Sequence, residues 1–252
     1  MFPLKDDIPT RRFPYLTVGL IVANVVMFFF FQGAFIDDAD FNQKVIDYGA
    51  IPYEISNPGE YCAAEGQRLA CGGDASGQPS TWLTLLTSMF MHGGLLHLGG
   101  NMLFLWIFGN NIEDSMGPLR FIAFYLLGGV AALAAQTAID PSAAVPTIGA
   151  SGAVAAVLGG YALLYPRARV VTLLFIVIFF TILELPALLV LGGWFVLQAL
   201  YGASELATPV GSGGGVAYFA HIGGFLFGLL LIKLVANDVH EDYERAHRAP
   251  VY

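Results

Sequence analysis

Six apolar stretches long enough to enter or cross a bilayer recur along this 252-residue chain, and they leave little room for any other kind of fold. A transmembrane helix needs about 20 apolar residues. The stretches run from Tyr15 to about Phe35, Leu95 to about Phe108, Leu119 to about Ala138, Ala150 to about Tyr165, 186–202, and Ala217 to about Ala236. Only 12% of the residues are charged and mean hydropathy is +0.67, whereas a soluble domain carries roughly 25% charged residues. The expected fold class is therefore an all-α integral membrane protein, a six-helix bundle with both termini cytoplasmic. The first stretch is long and no small-residue cleavage site follows it closely, so it reads as a permanent helix rather than a signal peptide.

Charge placement sets the orientation. With the N-terminus inside, Lys5, Arg11, Arg12, Arg120, Arg167, Arg169, Lys233, Arg245 and Arg248 are all cytoplasmic, and only Lys44 and Arg68 lie outside. Basic residues favour the cytoplasmic side, so the bias supports six spans. The divisions that follow are a cytoplasmic segment 1–14, a membrane domain 15–236 and a cytoplasmic tail 237–252. Residues 36–94 form an extracytoplasmic and interfacial loop. Its polar part, 36–81, carries eight carboxylates and several aromatic residues, as expected of a loop lying partly on the membrane surface; Trp82 to about Met91 folds back at the interface. Cys62 and Cys71 share this loop and form either a disulfide or two free thiols. Val170–Ile182 is expected at the cytoplasmic interface, because 13 helical residues reach only about 20 Å. The formal charge of −8 comes with no basic patch, so no nucleic-acid partner is expected.

Chemistry concentrates in a few polar residues at one depth. Ser151 lies between Gly149, Ala150 and Gly152 at the start of the fourth span. Taken alone, such small residues serve close helix packing. The first turn of a helix also offers unpartnered N–H groups and a positive dipole end, which suits a nucleophile and the anion its attack creates. His221 lies roughly 6 Å below the start of the sixth span, which runs in the same direction as the fourth. Gly152, Ala156 and Gly160 on one helix and Gly224 and Gly228 on the other are placed for close contact. That contact would bring Ser151 and His221 together as nucleophile and general base. His97 and Asn101, at i and i+4 of the second span, share a helix face and can supply donors for an oxyanion beside the Ser151 N–H. His92 lies near the interface, as either an exposed or a supporting residue. Asp140, Glu184 and Glu205 are poorly placed to complete a triad, so a Ser–His dyad is expected. No metal or cofactor is implied.

These residues match a family. The chain resembles the rhomboid intramembrane serine proteases through His92 with His97-x-x-x-Asn101, Gly149-Ala-Ser-Gly152, and Ala220-His-Ile-Gly-Gly-Phe-Leu-Phe-Gly228. The stretch from Asn101 to Glu113 and Gly117 fits the family's second helix and the turn after it. The resemblance implies a bundle with a short, central fourth helix, Ser151 as nucleophile, His221 as base, and His97, Asn101 and the Ser151 N–H around the oxyanion. It also implies membrane-protein substrates cut in or near their transmembrane segment. Two positions depart from the pattern. Leu83-Thr84 stands where relatives often have Trp-Arg, and Ala155 stands where some bacterial relatives have a tyrosine under the histidine. The ring of His221 then needs another support, for which an aromatic of the sixth span such as Tyr218 is the candidate. The competing readings are a non-catalytic relative that binds transmembrane segments, and a transporter, which no row of charged residues supports. A prokaryotic inner membrane is the expected location, with the site opening to the extracytoplasmic side.

Overall fold

The computed structural model describes residues 2–66, 68–74, 77–176, 179–206 and 216–237. Strand β1 (Phe2–Asp6) precedes helix α1 (Tyr15–Val26), which runs on as a π-helical turn, Met27–Phe31. The surface loop folds into α2 (Asp38–Tyr48), α3 (Pro52–Ser56), a hairpin of β2 (Tyr61–Glu65) and β3 (Arg68–Gly73), and α4 (Thr81–Thr87). Then come α5 (Leu95–Phe104), a π turn Leu105–Gly109, α6 (Asn110–Met116), α7 (Pro118–Ile139) and α8 (Ser151–Leu164). Strands β4 (Arg169–Ile176) and β5 (Phe179–Pro186) lead to α9 (Ala187–Leu206) and α10 (Tyr218–Val235). Helices α7, α9 and α10 are long and apolar enough to cross a membrane. The Gly211–Gly215 loop and tail residues 238–252 lie outside the described residues.

Local chemistry explains the boundaries. Asp37 accepts the Ala39 and Asp40 N–H groups and so caps α2. Pro118 opens α7, where a missing N–H costs nothing. Gly117, at φ +81°, makes the turn between α6 and α7. Cys62 and Cys71 face each other across the β2–β3 pair and are joined as a disulfide.

Two expectations need correction. The second stretch, bounded at about Phe108 from the sequence, continues as a helical path to Met116. The polar side chains there are used internally. The Glu113 carboxylate accepts the Leu16 N–H (3.0 Å), the Thr17 N–H (2.8 Å) and the Thr17 hydroxyl (2.8 Å). It thereby satisfies orphan donors at the positive end of α1. Val170–Ile182, in turn, is not a helix lying in the interface. Residues 170–176 and 179–182 belong to the antiparallel β4–β5 pair, with β1 added to give the order β1-β4-β5. Val170, Val171, Thr172, Ile176, Thr181 and Ile182 are β-branched and favour a pleated strand. β1 supplies the second partner that β4 needs.

Helix α8 is the centre of the bundle. Every residue from Gly152 to Ala162 is buried. Its neighbours α7 and α10 approach it through missing side chains. A Cβ on Gly224 would overlap the Gly152 carbonyl oxygen, one on Gly228 the Ala156 carbonyl oxygen, and one on Gly159 the Phe225 carbonyl oxygen. The open side of Gly152 itself faces α7, where a Cβ would stand 2.6 Å from that of Ala132. The expected α8–α10 contact is present, but glycines on α10 close on carbonyls of α8 rather than one small-residue face meeting another.

Strand β1 is anchored to α8 from below. Asp6 accepts from the Tyr161 hydroxyl (2.7 Å) and the Asn111 amide (2.6 Å). Burial raises its carboxyl to about 6 from an ordinary 3.8; the Tyr161 hydrogen bond lowers it by less, and neighbouring Asp7 adds to the rise.

Two predictions follow from this packing. Gly228→Ala drives a Cβ into backbone and is expected to cost about 2 kcal/mol or more. Gly193→Ala, with nothing within 4 Å of a new Cβ on α9, is expected to be neutral or to stabilise by about 0.5–1 kcal/mol. Melting temperatures in one detergent compare the two. For Asp6, the folded chain holds the proton more tightly than the unfolded chain. Its contribution therefore falls as pH rises from about 4 to about 6 and is level above. Asp6→Asn keeps an acceptor oxygen without the charge, so its melting temperature relative to wild type should rise between about pH 5 and about pH 7.5. Asp6→Ala, which strands two donors, should lose roughly 1–3 kcal/mol at both.

Candidate active site

Ser151 is the first residue of α8, directly after the Ala150 cap position, so its N–H belongs to the unpartnered first turn. Three contacts hold this start in place. The Gly149 N–H donates to the Ser88 carbonyl at 2.8 Å. The Thr147 N–H donates to the Ala50 carbonyl, also at 2.8 Å. The Ala150 N–H points to His92 Nε2 at 3.5 Å. Gly149 adopts φ +124°, and a Cβ there would stand 2.7 Å from His97 Nε2. Glycine is required both for the backbone angle and for the approach of that ring.

The close α8–α10 packing brings His221 to Ser151. Its Nε2 lies 2.8 Å from the Ser151 Oγ. The other ring nitrogen, Nδ1, lies 2.8 Å from the Gln198 amide oxygen. An amide oxygen only accepts, so with the amide turned this way Nδ1 is the donor and Nε2 is left to accept from the serine hydroxyl. The first turn of α10 is held by Gln136 of α7, whose amide oxygen accepts the Ala220 N–H at 3.1 Å.

His97 and Asn101 line the same cavity as Ser151, Gly149, Gly152 and His221, a space of about 960 Å³. The Gly93 N–H donates to His97 Nδ1 at 3.3 Å. In the neutral ring the proton is therefore on Nε2, on the side of Gly149. The Asn101 amide donates to the His97 carbonyl at 3.0 Å. The structure thus gathers around one cavity the two ring nitrogens, the hydroxyl and the side-chain donors that the sequence singled out. Gly224 and Gly228 serve the same arrangement by setting the helix separation.

Some placements differ from expectation. Of the two readings left open for His92, exposed or supporting, burial excludes the exposed one. Gln32 clamps its backbone from both sides, accepting its N–H at 2.9 Å and donating to its carbonyl at 3.0 Å. The ring of His221 is not supported by Tyr218, which packs on Tyr201. Trp194 of α9 takes that place, with ring centroids 5.7 Å apart. Gln32, Gln136, Gln198 and Trp194 were not singled out from the sequence. The only hint was a pattern: uncharged amides are rare in apolar helices and need partners there. Two of the carboxylates considered from the sequence have partners elsewhere. Asp140 accepts from the Ser142 N–H and hydroxyl, and Glu184 sits in β5 beside Arg169.

The arrangement is chemically able to move a proton from a hydroxyl to an imidazole. Around the hydroxyl stand N–H donors and a positive helix end.

The comparisons with known proteins place the chain in a family. A family model described as "Rhomboid domain" matches residues 79–238, a range that includes every residue of the site from His92 to His221. The chain is 29% identical over 178 residues to "Rhomboid protein 1, mitochondrial" of Saccharomyces cerevisiae, covering 66% of this chain and 46% of that protein. It is 40% identical over 84 residues to "Rhomboid protease GluP" of Bacillus subtilis, covering 33% of this chain and 16% of that protein. It is 30% identical over 150 residues to "Presenilin-associated rhomboid-like protein, mitochondrial" of Mus musculus, covering 59% and 37%. The chain spans less than half the length of each of these relatives. With the match extending over more than half of the chain, it belongs to the rhomboid family.

Proposed function

We propose that this protein is an intramembrane serine endopeptidase that cuts transmembrane proteins in or near their membrane segment, with Ser151 as nucleophile and His221 as general base. The observation that carries the proposal is the 2.8 Å approach of His221 Nε2 to Ser151 Oγ at the first turn of a buried helix. Membership of the rhomboid family and similarity to a relative whose name is "Rhomboid protease GluP" support it.

In this reading Oγ attacks the scissile carbonyl while Nε2 takes its proton. The developing oxyanion meets the Ser151 N–H, His97 Nε2–H and the Asn101 amide. The imidazolium then protonates the leaving amine, and an acyl-enzyme remains on Ser151. A water gives its proton to His221 and attacks the ester, which returns the free serine. The cavity supplies the space for peptide and water.

The proposed membrane arrangement has six spans: α1, the α5–α6 path, α7, α8, α9 and α10, as one domain over residues 15–236 with cytoplasmic termini. At 14 residues α8 is only about 21 Å long, so its burial among the other helices replaces contact with lipid at both ends. The Cys62–Cys71 disulfide fits a loop on the oxidising, extracytoplasmic side. The relatives named as mitochondrial lend no support to a prokaryotic inner membrane, and the proposal is confined to a multi-pass membrane location.

A fluorophosphonate probe applied to purified protein tests the proposal. Wild type is expected to be labelled at Ser151, mapped by mass spectrometry, and Ser151→Ala and His221→Ala to lose the label. Folded wild type that stays unlabelled in both detergent and lipid overturns proteolysis and favours a non-catalytic relative that binds transmembrane segments. Asn101→Ala should lower kcat for cleavage of a transmembrane peptide by roughly 10²–10³ if its amide meets the oxyanion, with KM little changed.

A further inference from the structure

The second nitrogen of His221 is engaged by a residue that the dyad does not require. Gln198 and Trp194 sit one turn apart on α9. One gives the imidazole an acceptor at 2.8 Å and the other a wall at 5.7 Å. α9 is the least buried of the three long helices, with 22% of its apolar window inside the protein. A polar side chain on such a helix is costly unless it has a partner, and the partner here is the proposed base.

We propose that Gln198 is a positioning residue for the reaction. Its amide oxygen accepts the Nδ1 proton of His221 and fixes the tautomer whose Nε2 faces Ser151. The proposal rests on the Ser151–His221 reading and adds a third member to it.

The argument is one of bond inventory. A neutral imidazole has one donor and one acceptor nitrogen. The nitrogen at Ser151 must accept if the hydroxyl is to lose its proton, so the other must donate. An aspartate in this place would hold the same tautomer and also stabilise the imidazolium. At this depth, however, it would be a buried charge whenever the base is neutral. A glutamine holds the tautomer and the ring angle without that charge. It leaves the imidazolium to be stabilised by the rest of the site. This accounts for a serine–histidine pair with no carboxylate hydrogen-bonded to it among the described residues: the orienting role is filled by an amide from another helix.

Gln198→Met, near in shape but without an acceptor, and Gln198→Glu, which keeps an acceptor oxygen, form the test. The first readout is the nitrogen spectrum of protein carrying 15N-histidine, with the His221 signals assigned by their loss in His221→Ala. Wild type is expected to show a protonated Nδ1 and an unprotonated Nε2. Gln198→Met should show a mixture of tautomers and a fluorophosphonate labelling rate lower by roughly ten- to a hundredfold, as expected when a buried donor loses its acceptor. Gln198→Glu should keep the wild-type tautomer and recover most of the rate. Melting temperatures establish that each variant is folded. An unchanged tautomer in folded Gln198→Met overturns the proposal, whatever the rate. So does an equal loss of rate in both variants with the wild-type tautomer retained, which would mark Gln198 as a packing residue. Wild type that carries the expected tautomer but never labels would sink the proteolytic reading instead, because the nitrogen spectrum reports on Gln198 independently.

Discussion

The separation of α8 and α10 is the quantity on which the rest of the site depends. Glycines 224 and 228 let α10 rest on the backbone carbonyls of α8, and Gly159 lets α8 do the same in return. Helices cannot approach this closely with a Cβ in the way. The contact fixes both the distance and the rotation of the two helices, and so places a histidine on one within 2.8 Å of a serine on the other. A backbone–backbone contact of this kind has little room to slide or turn. Close-packed interiors accept few alternative arrangements, and this suits a proton transfer that tolerates little displacement.

A second constraint comes from the apolar surroundings. Where water is scarce, each polar side chain must find a protein partner or carry a desolvation penalty. The structure meets this with long-range pairs. Glu113 caps α1, Asp6 joins Tyr161 and Asn111, Gln32 clamps the His92 backbone, Gln136 caps α10, and Gln198 holds His221. Most of these partners are neutral amides. Each ties two elements distant in sequence, so the same bonds that satisfy buried groups also set where the helices start and how they are rotated. The site is thus supported by α1, α7 and α9 as well as by the helices that carry Ser151 and His221.

The β1-β4-β5 sheet shows where patterns of hydrophobicity lose their meaning. Residues 170–182 are apolar apart from Thr172 and Thr181, and in a chain of transmembrane helices such a run reads as another helix. Periodicity does not separate a short buried helix from a strand; β-branching does so better. The second clue lay far away, because the partner strand is Phe2–Asp6, more than 160 residues earlier. Pairing across that distance is visible only when the chain is folded.

The helical class, the apolar segments, the short α8 and the grouping of Ser151, His221, His97 and Asn101 were legible in the amino-acid sequence. They follow from local rules: length of apolar runs, small residues at a helix start, and side chains spaced at i and i+4. The support of His221 by Gln198 and Trp194, the burial of His92 under Gln32, the capping of α1 by Glu113 and the β-sheet were decided only by the tertiary structure. Each depends on which faces of separate elements meet. An amide or a carboxylate in a sequence has no partner until the fold brings one within hydrogen-bonding distance.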